Sequence, residues 1–275
     1  MTSVHMSDAV ASAGPAGLGA FNVIQLEHAE AIVAGAEAAG RPVVLQISEN
    51  TAAYHRGLAP IAAACLHVAA SSTTEVVVHL DHATSAGLVD EAVGLGVVSV
   101  MFDASRLAHY DNVVATMQMA AWCHARDVWV EAELGEVGGK DGVHAPGVRT
   151  DPAEAAAYVA ATGVDALAVA VGSSHAMLTR DAQLDDDLIA RIKASVDVPL
   201  VLHGSSGVPD AGLVSAVRHG MTKINIATHL NKAMTASVRR ALDDPDLVDP
   251  RKYLGPGRQA IASEVERLLR MLANV

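Results

Sequence analysis

Eight short, Val-rich apolar runs alternate with Ala- and Leu-rich stretches of helical length along the 275 residues of this chain. The runs fall at Gly19–Ile24, Pro42–Ile47, Glu75–Leu80, Val97–Phe102, Val128–Ala132, Asp165–Val171, Val198–Leu202 and Met221–Ile226. Runs without simple alternation mark parallel strands buried on both faces, and strict alternation with helices makes each helix a crossover. Residues 26–39, 58–70, 85–95 and 107–125 supply the first helices, and Asp151-Pro152 opens another as cap and first-turn proline. Residues 1–18 are small and weakly patterned, and a Pro/Gly-containing segment, residues 245–257, precedes a final helix. A doubly wound open sheet is the structural alternative. Eight regular units, with no Gly-x-Gly-x-x-Gly after the first strand, favour closure instead. The expectation is an α/β fold, a (β/α)8 TIM barrel with a C-terminal helical extension, in one domain spanning residues 1–275.

Composition removes several function classes. The chain is 51% hydrophobic and only 3% aromatic, which suits helices packed on a Val-rich sheet and argues against a β-sandwich. A formal net charge of -12 argues against nucleic-acid partners and requires any anionic substrate to be held by local groups. Cys65 and Cys123 lie in apolar helical patterns without ligand-like spacing, as expected of buried free thiols in a reducing compartment. No secretory leader and no membrane-length apolar stretch is evident, so the expected location is the cytoplasm, with no membrane partner.

The polar residues fall in a pattern. Ser48, Asp81, His82, Asp103, Glu131, Glu133, His175, His203 and Asn225 all lie at or near expected strand C-termini. A barrel gathers those ends on one face, so residues far apart in sequence converge. His82, His175 and His203 end three different strands, and three imidazoles with an open position are a common setting for catalytic zinc. His28, His67, His124 and His219 in helices, and His55, His109 and His144 in loops or helix starts, read as structural or solvated; His79 and His229 lie close enough to support the site. His203-Gly-Ser-Ser-Gly207 and Asn225-Ile-Ala-Thr228 follow strands seven and eight, where barrels often hold phosphate on helix starts. Together these features suggest a phosphorylated carbonyl compound bound to zinc.

The same residues resemble the class II, zinc-dependent ketose-bisphosphate aldolases. The matching stretches are Gly19-Ala-Phe-Asn22, His79-Leu-Asp-His82, Glu131-Ala-Glu-Leu-Gly135, Gly163-Val-Asp-Ala-Leu-Ala-Val169, His203-Gly-Ser-Ser-Gly-Val-Pro209, Lys223-Ile-Asn-Ile226 and Asp249-Pro-Arg-Lys-Tyr-Leu-Gly-Pro256. The resemblance implies zinc on His82, His175 and His203, and Asp81 as the acid/base at the hydroxyl of the cleaved bond. Asp103 and Glu133 match positions that bind a second divalent metal in some members, or else hydrogen-bond the zinc ligands. Gly204, Ser205, Ser206, Asn225, Ala227 and Thr228 match the dihydroxyacetone-phosphate site, with Asn225 counted among the catalytic groups as well. Ser48 matches a contact to the other half of the substrate. Arg251 matches an arginine that reaches the distal phosphate from a neighbouring subunit, implying a homodimer or homotetramer. A monovalent cation assists some members.

Three positions depart from the family pattern. The mobile loop, usually Gly-Gly-x-Glu-Asp, reads Gly138-Gly-Lys-Asp-Gly142, leaving Asp141 as the nearest carboxylate for the proton transfer on dihydroxyacetone phosphate. Ala176 stands where a glycine often follows the second zinc histidine near the phosphate. Ala227 stands where fructose-type members often carry Asp, while Tyr253-Leu-Gly-Pro256 looks fructose-type. Fructose 1,6-bisphosphate is the favoured substrate, with tagatose 1,6-bisphosphate or another phosphorylated ketose open. A zinc-containing, sugar-phosphate-binding paralogue without turnover and a barrel metal hydrolase are the competing classes. Asp81 argues against the first, and the lack of a His-x-His pair at the end of the first strand argues against the second.

Overall fold

In a computed structural model describing residues 4–134, 149–174 and 179–274, eight strands pair in sequence order and close on themselves. They are β1 (Leu18–Asn22), β2 (Val43–Ser48), β3 (Val76–Ala83), β4 (Ser99–Phe102), β5 (Trp129–Glu133), β6 (Ala166–Ala168), β7 (Leu200–Leu202) and β8 (Met221–Ile226). Every pairing is parallel, and β8 returns to β1. The expected (β/α)8 barrel is present.

Side-chain alternation sorts each strand into two faces. Val43, Leu45 and Ile47 on β2, and Val76, Val78 and Leu80 on β3, join the large core between sheet and helices. The intervening residues point into the barrel and become polar toward the strand ends. Leu18 and Ala20 precede Asn22, Val44 precedes Gln46 and Ser48, and Val77 precedes His79 and Asp81. One end of the barrel interior is therefore apolar and the other carries chemistry.

The apolar end is closed by a helix that the sequence pattern does not announce. Residues Met6–Ala13 form α1, whose Met6, Ala9 and Ala13 pack on Leu18, Ala20, Val44 and Val77. The expectation of an unpatterned segment over residues 1–18 is corrected here: α1 is short and built largely of Ala and Ser, with Met6 and Val10 its only large apolar residues.

Between the strands run α2 (Leu26–Ala39), α3 (Glu49–Tyr54), α4 (Ala59–Ala70), α5 (Ala86–Gly94), α6 (His109–His124), α7 (Pro152–Thr162), α8 (Asp186–Ser195), α9 (Asp210–Arg218) and α10 (Thr228–Ala241). Local chemistry fixes their ends: Gly40 is left-handed after α2, Ser85 accepts from Leu88 N, and Asp151 accepts from Ala153 and Glu154 N. The short α3, capped by Ser48, is a second helix absent from the sequence expectation.

The last helix, α11 (Pro250–Ala273), begins earlier than expected and runs through Gly255, Pro256 and Gly257. Asp249 caps it, and Gly257 lies against Met234 and Val238, so packing on α2 and α10 outweighs the breakers. Cys65 and Cys123 are buried and free, as expected. Among the described residues, no helix is long and apolar enough to cross a membrane.

Met6 is 1% exposed against the barrel floor. Met6→Ala is expected to lower the unfolding free energy by about 2–4 kcal/mol, measured by urea denaturation. An unchanged midpoint would mean that α1 does not contribute to the core.

Candidate active site

Asp81 and His82 are consecutive residues, which a regular strand would send to opposite faces. A register shift prevents this: Leu80 pairs with Val100, but Ala83, three residues on, pairs with Phe102. His82 takes up the extra residue with φ of +52°, a left-handed conformation uncommon outside glycine and associated with functional sites. Both side chains consequently line one cavity of about 190 Å³ at the strand ends.

Carboxylates below the cavity hold its imidazoles. His82 Nδ1 lies 2.7 Å from Asp103 Oδ2, while Asp103 Oδ1 accepts from the Ser105 amide and hydroxyl. Buried His203 faces Glu133 Oε2 through Nδ1 and Glu131 Oε1 through Nε2, both at 3.0 Å. Burial opposes charge on His203, but its bonds to Glu131 and Glu133 outweigh it and push the pKa up to about 9. Lys223 Nζ donates to Glu131 Oε2 at 2.8 Å. Burial alone would raise the Glu131 carboxyl; Lys223, His203 and His79 instead hold it well below the usual range. Burial and the Lys223 charge drive His79 down to about 3, and its Nδ1 lies 2.8 Å from Ser99 Oγ.

Asp81 and Asn225 both line the cavity with a buried side-chain oxygen that has no partner among the described residues. Asn22 Nδ2 donates to Asp81 Oδ2 at 3.0 Å, and Gln46 Nε2 steadies Asn22 Oδ1 at 3.2 Å. Asp81 Oδ1 is buried without a hydrogen-bond partner among the described residues. Burial works to raise the Asp81 carboxyl, yet the fields of His82, Lys223, His203 and His79 hold it below its ordinary value. Ligand atoms of Asp81, His82 and His203 lie within 4.8 Å of one another, and the two imidazoles meet edge to face at 4.7 Å. Such a nitrogen and oxygen donor set suits zinc. The unpartnered Asp81 oxygen lies beside the two imidazoles, where it can face a substrate hydroxyl.

The opposite wall is built from the loops after β7 and β8. Gly204 has φ of +67°, and a Cβ there would lie 2.6 Å from the Ser174 backbone, so only glycine fits. Ser205 Oγ donates to the Asn225 carbonyl, and Ser206 Oγ accepts from the Ala227 and His229 amides, each at 3.3 Å. Two accepted bonds leave the Ser206 hydroxyl proton to offer to a ligand. The N-terminus of α10 opens at this wall, which favours an anion.

Of the residues singled out from sequence, Ser48, Asp81, His82, Gly204, Ser205, Ser206, Asn225, Ala227 and Thr228 line this cavity. His203, Asp103 and Glu133 lie in the buried layer that supports it. Arg251 does not line it: the side chain is 90% exposed and paired with Asp249 at 2.9 Å. Asp141, His175 and Ala176 lie outside the described residues. Asn22, Asn50 and Ser174 also line the cavity, although the sequence reading assigned them no role. Asn22 lies inside the first run as read from sequence, Gly19–Ile24, and ends the strand only in the structure.

Ionisable groups converging on strand ends beside an anion-favouring wall define a metal-assisted barrel enzyme. The family described as fructose-bisphosphate aldolase class-II matches residues 4–275, and the chain belongs to this family of metal-dependent carbon–carbon lyases. A Staphylococcus epidermidis fructose-bisphosphate aldolase is 39% identical over 259 residues, covering 92% of this chain and 90% of its own. Its Geobacillus stearothermophilus counterpart is 39% identical over 272 residues, covering 96% and 95%. Among solved structures, the YdjI aldolase of Escherichia coli K12 superposes with a TM-score of 0.82 at 29% identity, covering 97% of this chain and 94% of that one.

Gly204→Ala is expected to cost about 1–3 kcal/mol in thermal unfolding and to weaken inorganic phosphate binding in calorimetry. Wild-type values for both would contradict the close approach to Ser174.

Proposed function

We propose that the protein is a zinc-dependent aldolase that reversibly cleaves fructose 1,6-bisphosphate to dihydroxyacetone phosphate and glyceraldehyde 3-phosphate. The observation that carries this reading is the buried, unpartnered Oδ1 of Asp81, held beside His82 and His203 and facing the Ser205–Ser206 wall. The names of the curated relatives support fructose as the sugar.

His82 and His203, with His175, are assigned as the residues that would hold zinc. Bound there, zinc supplies a Lewis acid that polarises the ketone oxygen. Asp103 and Glu133 are assigned to orient His82 and His203 through their Nδ1 atoms, ahead of a second metal, and His203 Nε2 would exchange its Glu131 contact for zinc. Gly204, Ser205, Ser206, Ala227 and Thr228 hold the phosphate of the dihydroxyacetone half, and Ser48 contacts the other half. Ionised Asp81 takes the proton of the hydroxyl on carbon 4, and the bond between carbons 3 and 4 breaks as that carbon becomes an aldehyde. Carbon 3 then collects a proton, for which Asp141 is the assigned donor, while the Asn225 amide steadies the oxygens beside it. Arg251, exposed on its own subunit, is assigned to the distal phosphate of a neighbour in a homo-oligomer.

Triose-phosphate release from fructose and tagatose bisphosphates, in chelated and zinc-restored samples, tests the reading. Expected are activity lost on chelation and regained with zinc, a faster fructose rate, and a loss of at least about a hundredfold in Asp81→Asn with zinc retained. Cleavage that survives chelation would overturn the metal assignment, and a full-rate Asp81→Asn the base assignment.

A further inference from the structure

A run of charged side chains crosses from the C-terminal helix to the anion-facing wall. His229 Nε2 lies 2.6 Å from Glu264 Oε1. Arg267 donates to the same oxygen at 2.6 Å through Nη2, and to Asp210 Oδ2 at 2.6 Å through Nη1. Arg180 Nη2 donates to Asp210 Oδ1 at 2.6 Å, and its guanidinium also grips the Val208 carbonyl. The run therefore ties α11 to the segments following β6, β7 and β8. His229 also donates its backbone amide to Ser206 Oγ.

We infer that His229 is a positioning residue for the substrate phosphate: its Glu264-anchored ring fixes the first turn of α10 so that Ser206 is oriented as a donor. The argument rests on the proposed phosphate site after β7 and β8. Thr228, which lines the cavity, and His229 are the first two residues of α10; the N-cap residue, Ala227, has no side chain to cap the helix, and Ser206 Oγ takes the His229 amide from the neighbouring loop instead. A first turn held only by this long contact from another loop tends to fray, which would release the amide from Ser206. The imidazole contact to Glu264 reinforces the Ser206 contact by tying the turn to α11 from outside. His229 and Glu264 are 22% and 20% exposed, sheltered enough for the contact to persist. Partial burial acts to raise Glu264, but His229 and Arg267 hold it down to about 2, so it stays ionised. The Arg267–Asp210–Arg180 continuation keeps Glu264 in place and braces the loop after β7 against the same helix. Without the ring, Ser206 loses the geometry that leaves its proton for phosphate, while Asp81 and the imidazoles are untouched.

The test uses full-length, zinc-loaded enzyme, with inorganic phosphate as the binding probe and fructose bisphosphate as substrate. His229→Leu is expected to raise the phosphate Kd and the KM by about tenfold while kcat changes less than about threefold. His229→Gln, which keeps a donor for Glu264, should restore both. Glu264→Ala should reproduce His229→Leu, with the double variant no weaker than either single one, and it carries the test alone if His229→Leu does not fold. Ser206→Ala separates the two levels of the argument. If it weakens phosphate while His229→Leu and Glu264→Ala do not, the positioning role is wrong and the site stands. If none of the three changes phosphate binding, or the wild type binds none, the phosphate site itself is overturned.

Discussion

Lys223 and Glu131 meet at 2.8 Å inside a closed barrel, where neither charge reaches water. Either charge alone would cost several kcal/mol to bury. Together they are tolerable, and the second Glu131 oxygen then serves His203, whose other nitrogen is taken by Glu133. Glu133 fixes the ring through Nδ1, while Nε2, which rests on Glu131, is the nitrogen that must exchange that contact for a metal. A buried pair of this kind contributes little to net stability, and its value lies in holding neighbouring groups in one arrangement. His203 depends on it directly, and Asp81 feels the same Lys223 charge.

Above that tier the strand ends carry the chemistry, and below it the barrel is apolar and closed by α1. This separation lets the His82 bulge exist. A left-handed histidine at a register shift is strained, and it is held because Asp103 fixes its ring while the flanking pairs, Leu80 with Val100 and Ala83 with Phe102, are kept. The anion-facing wall follows a different rule. Its donors are backbone amides, serines and a helix start, which would favour an anion locally despite a formal net charge of -12.

Much of this was legible in the sequence because period and punctuation agreed. Helix α2 ends at Ala39 before Gly40, and β8 runs from Met221 to Ile226, as read from the pattern. The rule that polar residues at strand ends converge located Ser48, Asp81, His82 and Asn225, and the motifs after strands seven and eight, with the family resemblance, supplied Gly204, Ser205, Ser206, Ala227 and Thr228. The rest was hidden for identifiable reasons. Helix α1 is short and mostly small residues, and α11 contains Gly255 and Pro256, whose tolerance depends on partners distant in sequence. The bulge that turns Asp81 and His82 to one side is a property of pairing with β4, which no local pattern reports. Lys223 gave one usable hint, since a charged residue within an apolar run calls for a buried partner. Which partner it takes depends on the barrel register.

The central claim is that one metal joins His82 and His203 beside Asp81. Anomalous diffraction at the zinc edge, from crystals of zinc-loaded protein, tests it most directly. The account predicts a single strong peak bonded to both imidazoles, with His175 completing the set and Asp81 facing it. A peak elsewhere on the molecule, with no density between His82 and His203, would contradict the account.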